Sequence, residues 1–211
     1  MLLLRLAPQF SSLWLRLANA SVIFPLPAIN GIVRPNCVAF PFSSRLLHLK
    51  MNKKHIEFIK MLSLRGPSIW AYRPIIEAWV DIGDLEDFPS NTIPGFNERL
   101  SAWLPTLVEH RCSVGERGGF LQRLRDGTWP AHILEHVTLE LQSLAGLPGG
   151  LGRARETPVR GVYKVIVRAW YEPVTRAALY AARDLVMAAI EDRPYDVQGA
   201  VDELRELTES L

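Results

Sequence analysis

Hydrophobic positions change their spacing along this chain, and the change predicts its elements. Apolar and β-branched residues crowd "HIEFIKMLSL" (55–64) and "PIIEAWVDI" (74–82), with Arg65-Gly66-Pro67 between them as a turn signal. That arrangement predicts two strands. "GVYKVIVRAW" (161–170) predicts a third, the clearest of the set. Elsewhere the spacing is helical. "FNERLSAWLPTLVEH" (96–110) places Phe96, Leu100, Trp103, Leu104 and Leu107 on one face, with a kink expected at Pro105. "GGFLQRLRDG" (118–127) predicts a short helix closed by Gly127. In "TWPAHILEHVTLELQSLAG" (128–146), Thr128 can cap a helix, Pro130 suits its first turn and Gly146 ends it. "EPVTRAALYAARDLVMAAIED" (172–192) is the clearest helix, and "DVQGAVDELRELTESL" (196–211) predicts an exposed helical tail. "GLPGGLGRARET" (146–157) reads as a hairpin-forming linker. Strands, then helices, then one strand and a helix, without regular βαβ alternation, predict an α+β fold. The expected architecture is a small, mainly antiparallel sheet packed against helices in a single domain.

Charge divides the chain. Residues 1–50 contain no Asp or Glu but carry Arg5, Arg16, Arg34, Arg45 and Lys50. The other 161 residues hold all 22 acids and 24 − 5 = 19 bases, so the net charge of +2 gives no footing for nucleic-acid binding. Residues 1–50 are expected to be a leader outside the fold. The segment has transit-peptide composition, but Pro8, Gln9 and Arg16 interrupt the run that a secretory signal needs. Pro25 and Pro27 break the longest uncharged stretch, a poor membrane span. "MNKKHIEFIKMLSL" has the look of a bacterial start, so the reading favoured is translation from Met51. The expected organisation is a leader at 1–50, a domain at 51–195 and the helical tail at 196–211. Cys37 and Cys112 lack C-x-x-C spacing, which argues against a disulfide framework and for a reducing, cytoplasmic location. Cys112 reads as a partly buried free thiol.

The candidate chemistry lies in 128–146. Advancing about 100° per residue from His132 puts His136 at about 40° and Glu135 at about 300°. Ile133, Leu134, Val137, Leu141 and Leu144 fall between about 100° and 200°. The helix therefore has a polar face bearing His132, Glu135 and His136, opposite an apolar one. Histidines at i and i+4 can reach one Zn²⁺, and a glutamate just before the second can take a proton from water; this is the H-x-x-E-H arrangement. Such a site needs a third protein ligand. Glu172 is the first choice, Glu140 the second and Glu156 the third. The structural alternative is a solvated helix face with incidental histidines. Arg153 and Arg155, with Arg160, form a cluster able to hold carboxylates, and Asp81, Asp84, Glu86 and Asp87 form one able to attract guanidinium groups. No G-x-x-x-x-G-K-[ST] occurs, so no ATP site is expected.

"LSLRGPSIWAYRP" (62–74), "DLEDFPSNTIPGFNERL" (84–100), "GGFLQRLRDGTWPAHILEHVTLELQSLAGLPGGLGRARET" (118–157) and "GVYKVIVRAWYE" (161–172) together resemble the N-terminal domain of cyanophycin synthetase. The resemblance spans roughly residues 60–190. It implies a domain that docks cyanophycin, an arginine-decorated poly-aspartate, and that in some members is a zinc metallopeptidase cutting the polymer into primers. It implies roles for His132 and His136 as zinc ligands, with Glu135 activating water. The ATP-grasp and Mur-ligase-like modules of full synthetases are not represented, so the chain alone is not expected to be a ligase. The alternatives are a non-catalytic binding module, or a fragment or subunit working beside a separately encoded synthetase module. No nucleic-acid or membrane partner is expected.

Overall fold

A computed structural model describes residues 55–65 and 74–211, all within one compact unit. The leader, Cys37 and the proposed start at Met51 lie outside the described residues. Among the described residues four strands form one antiparallel sheet in the order β1-β2-β4-β3: β1 (Glu57–Leu64), β2 (Ile75–Asp81), β3 (Gly152–Glu156) and β4 (Val162–Arg168). The helices are α1 (Phe96–Trp103), α2 (Gly119–Asp126), α3 (Pro130–Leu144), α4 (Glu172–Ile190) and α5 (Val197–Glu209). The expected α+β architecture is the one observed.

Side-chain alternation explains which face of the sheet is covered. Ile76, Ala78 and Val80 of β2 and Val165 and Val167 of β4 are all fully buried, while their neighbours Glu77, Trp79 and Lys164 turn to the other face. Each buried aliphatic side chain contributes about 1.5–3 kcal/mol. The helices α3 and α4 pack together over this face. Thr175 of α4 donates its hydroxyl to Gln142 Oε1 of α3 at 3.0 Å, and both residues are buried. That bond removes a cost that two unsatisfied polar groups would impose on the interface.

Three expectations are corrected. Pro105 does not kink one helix; it ends α1, and a 3₁₀ turn (Pro105–Glu109) follows. Residues 152–156 are an edge strand rather than a linker, paired along their whole length with β4. The tail helix α5 is not simply exposed, because Val201 and Leu204 are buried in the common core with α3 and α4.

Candidate metal centre

Helix α3 is the floor of a cleft of about 1290 Å³. One wall is the segment Thr106–Ser113, and the other is the strand β3 with the glycines before it. His132, Glu135, His136 and Glu140 all face into this space from successive turns of α3. The polar stripe is therefore not a solvated helix face. Glu135 and His136 are each 6% exposed and Glu140 3%, because the Thr106–Ser113 segment and the β3 edge of the sheet cover this side of α3.

The loop wall supplies two further donors. A 3₁₀ turn (Cys112–Val114) follows His110, and Cys112 sits at φ 51°, a left-handed conformation uncommon for a side chain of this kind. Gly118 N–H donates to Val108 O at 2.7 Å and Phe120 N–H to His110 O at 3.1 Å, which tie this loop to the start of α2. Cys112 Sγ lies 3.3 Å from His132 Nε2. The ligating atoms of Cys112, His132 and His136 all lie within 4.8 Å of one another.

Each imidazole is oriented by a neighbour. His132 Nδ1 meets Thr128 Oγ1 at 2.8 Å, leaving Nε2 for the thiol side. Contrary to the expectation from sequence, Thr128 does not cap α3 with its side chain; Trp129 occupies the cap position. His136 Nδ1 lies 2.9 Å from His110 Nδ1, and His110 Nε2 lies 2.8 Å from Glu140 Oε2. Thr106 donates a short hydrogen bond to the other oxygen of Glu140. Phe120 stacks on His136 with centroids 4.0 Å apart and meets His132 edge-on at 5.8 Å. An aromatic wall thus holds both rings where they converge.

The set fits a tetrahedral d¹⁰ ion. Sulfur and nitrogen ligands at about 2.3 and 2.0 Å from zinc stand about 3.5 Å apart, close to the Cys112–His132 separation. Burial depresses His132 to about 4, helped by the charge of Arg123, and burial with the neighbouring His132 and His110 pushes His136 far down. Both rings are held neutral, the form that binds a metal. Glu135 moves the other way. Burial raises it to about 7 against the opposing pull of the Ala154 backbone N–H, His110 and Arg153. A carboxylate poised there suits proton transfer near neutral pH.

These shifts carry a signed prediction for the metal-free protein. The share of stability from neutral histidines is complete above 6.5, their ordinary value, and falls as pH drops toward about 4 for His132. Glu135 opposes this: its share is full below 4.5 and is lost as pH rises through about 7. Glu135→Gln is therefore expected to make the melting temperature fall more steeply than in the parent between about pH 7 and about pH 5. Thermal melts in chelator check this, and equal slopes would contradict it.

A family model described as "Cyanophycin synthase-like N-terminal domain" matches residues 77–191. The chain belongs to this family. Among curated proteins, the cyanophycin synthetases of Synechocystis sp. and Crocosphaera subtropica are each 44% identical over 157 and 154 residues, 72% of this chain. That of Geminocystis herdmanii is 43% identical over 154 residues. The matched part is 18% of the length of each of these relatives.

Within this member of the family, the structure brings His132, Glu135 and His136 together, as the spacing predicts. It does not bring Glu172 to them. That carboxylate accepts from Arg176 Nε at 2.8 Å and bonds Ser63 of β1, at the opposite edge of the sheet from β3. Glu140 faces the cleft but is engaged by His110 and Thr106, and Glu156 lies on the β3 wall. The thiol of Cys112 stands where the third ligand was sought. Arg153 and Arg155 line the cleft, with Arg111 and Arg123. Asp84 and Asp87 lie outside it. Asp87 accepts from Arg160 Nη2 at 2.6 Å, and Asp84 adds its charge to the same guanidinium. Their loop touches only the rim, where Trp129 Nε1 donates to Glu86 O at 2.9 Å and Tyr163 OH to Glu86 Oε1 at 3.1 Å.

Proposed function

We propose that this domain binds cyanophycin in the cleft between α3 and β3 and hydrolyses its backbone as a zinc-dependent endopeptidase, yielding short primers. The observation that carries the reading is the convergence of Cys112, His132 and His136 at the floor of an arginine-lined cleft, with Glu135 beside them. A zinc ion held by those three residues would supply Lewis acidity toward water and the scissile carbonyl. Arg153 and Arg155 at the mouth, with Arg123 and Arg111, draw in the polymer's free carboxylates and hold it across the cleft. Glu135 takes a proton from the attacking water as its oxygen bonds the amide carbon. It returns the proton to the amine nitrogen as the C–N bond breaks. The family relationship supports the choice of polymer, since the relatives are cyanophycin synthetases. The setting is the cytoplasm, beside a separately encoded or adjoining synthetase module that extends the primers. No helix among the described residues is long and apolar enough to cross a membrane.

Glu135→Gln tests the base. It should keep one zinc per chain and lower the turnover of cyanophycin by about 10²-fold or more. Unchanged cleavage by that variant removes the endopeptidase mechanism. One observation favours docking without hydrolysis: the Glu135 carboxylate is engaged by the Ala154 backbone N–H of β3 rather than by open solvent. On that second reading the parent binds the polymer, carries no stoichiometric zinc and releases no peptides.

A further inference from the structure

Glu140, which is buried, and His110, which is half-buried, are polar groups that the hydrolytic scheme does not use. They form a continuous chain into the cluster. Thr106 donates to one oxygen of Glu140, His110 Nε2 lies 2.8 Å from the other, and His110 Nδ1 lies 2.9 Å from His136 Nδ1. A carboxylate is acceptor-only, so the nitrogen facing it carries the proton. With a single proton on its ring, His110 carries it on Nε2 and offers a lone pair on Nδ1. Two ring nitrogens 2.9 Å apart need one proton between them, and His110 has none left to give. His136 therefore donates, with its proton on Nδ1 and the lone pair on Nε2.

We infer that Glu140 and His110 form a relay that fixes the tautomer of His136 and aims its Nε2 lone pair at the cluster with Cys112 and His132. This rests on the metal reading above for its purpose but not for its existence, which is a property of the metal-free protein. His110 and Glu140 are positioning residues. Neither is among the three clustered donors, and each acts through His136. A neighbour of this kind fixes the ligating nitrogen of a metal-binding histidine and raises its basicity, and losing it costs roughly 10–100-fold in metal affinity. Burial at 3% exposure keeps Glu140 from trading these bonds for water. Thr106 on the second oxygen stops the carboxylate from rotating away from His110.

The test is the nitrogen-15 spectrum of histidine-labelled, metal-free protein at neutral pH, followed by zinc titration. In the parent, His136 is expected to show a protonated Nδ1 and an unprotonated Nε2. His110→Phe preserves the ring but removes both nitrogens. It should mix the two His136 tautomers and weaken zinc binding roughly 10–100-fold. His110→Gln, whose amide oxygen can accept from His136, should restore part of both. A role in packing alone would lower the melting temperature while leaving the tautomer unchanged. A parent His136 protonated on Nε2, or a tautomer unmoved by His110→Phe, overturns the relay, and the parent spectrum decides even if the variants fail to fold. A fixed Nδ1–H tautomer in a parent that takes up no zinc would instead uphold the relay and sink the metal reading.

Discussion

Cys112→Ala is expected to abolish stoichiometric zinc binding, lowering affinity by about 10³-fold or more, about 4 kcal/mol. The reason is that the thiol is one of three convergent donors, and a site with two imidazoles alone leaves half a tetrahedron to water. Its removal also strips His132 Nε2 of its neighbour at 3.3 Å. Glu172→Ala is the matched control, because that carboxylate is bonded to Arg176 and Ser63 and should leave affinity unchanged. Metal analysis of dialysed protein and competition with a chromogenic chelator give both numbers. Zinc retained without Cys112 but lost without Glu172 would reverse the assignment.

Gly119→Ala should be the most damaging change of a single methyl group in the domain. A Cβ at Gly119 would stand 2.0 Å from the carbonyl oxygen of Arg111 and 2.9 Å from its carbon. These are backbone atoms, so no side-chain rotation relieves the overlap. Either α2 must withdraw or the Arg111–Cys112 turn must lift off α3. The same turn is tied through the Phe120 N–H bond to His110 O, so both loop donors would move with it. The expected cost is about 3 kcal/mol, or a fall of about 10 °C in melting temperature for a chain of this size. Zinc binding should weaken in parallel. Gly149→Ala, where a Cβ would meet nothing within 4 Å, is the neutral comparison. Indistinguishable melts for the two variants would show that the close approach at Arg111 is not a constraint.

Periodicity made the covered faces legible and little else. β2 and β4 could be read because alternate residues must enter the core, β1 from its crowding of apolar and β-branched residues although most of them are exposed, and α3 and α4 because their apolar arcs must face the sheet. β3 could not. "GRARE" has no apolar face to betray it, and its strand conformation is set by pairing with β4, an interaction between segments that no local pattern records. The site divides in the same way. His132, Glu135 and His136 share one helix, so their convergence follows from 3.6 residues per turn. His110 and Cys112 reach them through two 3₁₀ turns and a left-handed Cys112, and nothing in "EHRC" announces that path. Glu172 was a plausible ligand on the assumption that the strand-to-helix junction after β4 opens toward α3. Antiparallel pairing instead delivers that junction beside the end of β1. The arginines of the β3 wall were legible as a cluster, whereas the ion pair that holds Asp87 on Arg160 was not.

The most direct test is the size distribution of purified cyanophycin after incubation with residues 51–211, in parallel with zinc and with chelator. With zinc the polymer should shorten progressively to Asp/Arg peptides, and chelator should stop the shortening until zinc is restored. Polymer of unchanged length in the presence of a fully zinc-loaded domain, or cutting indifferent to chelator, would contradict the account.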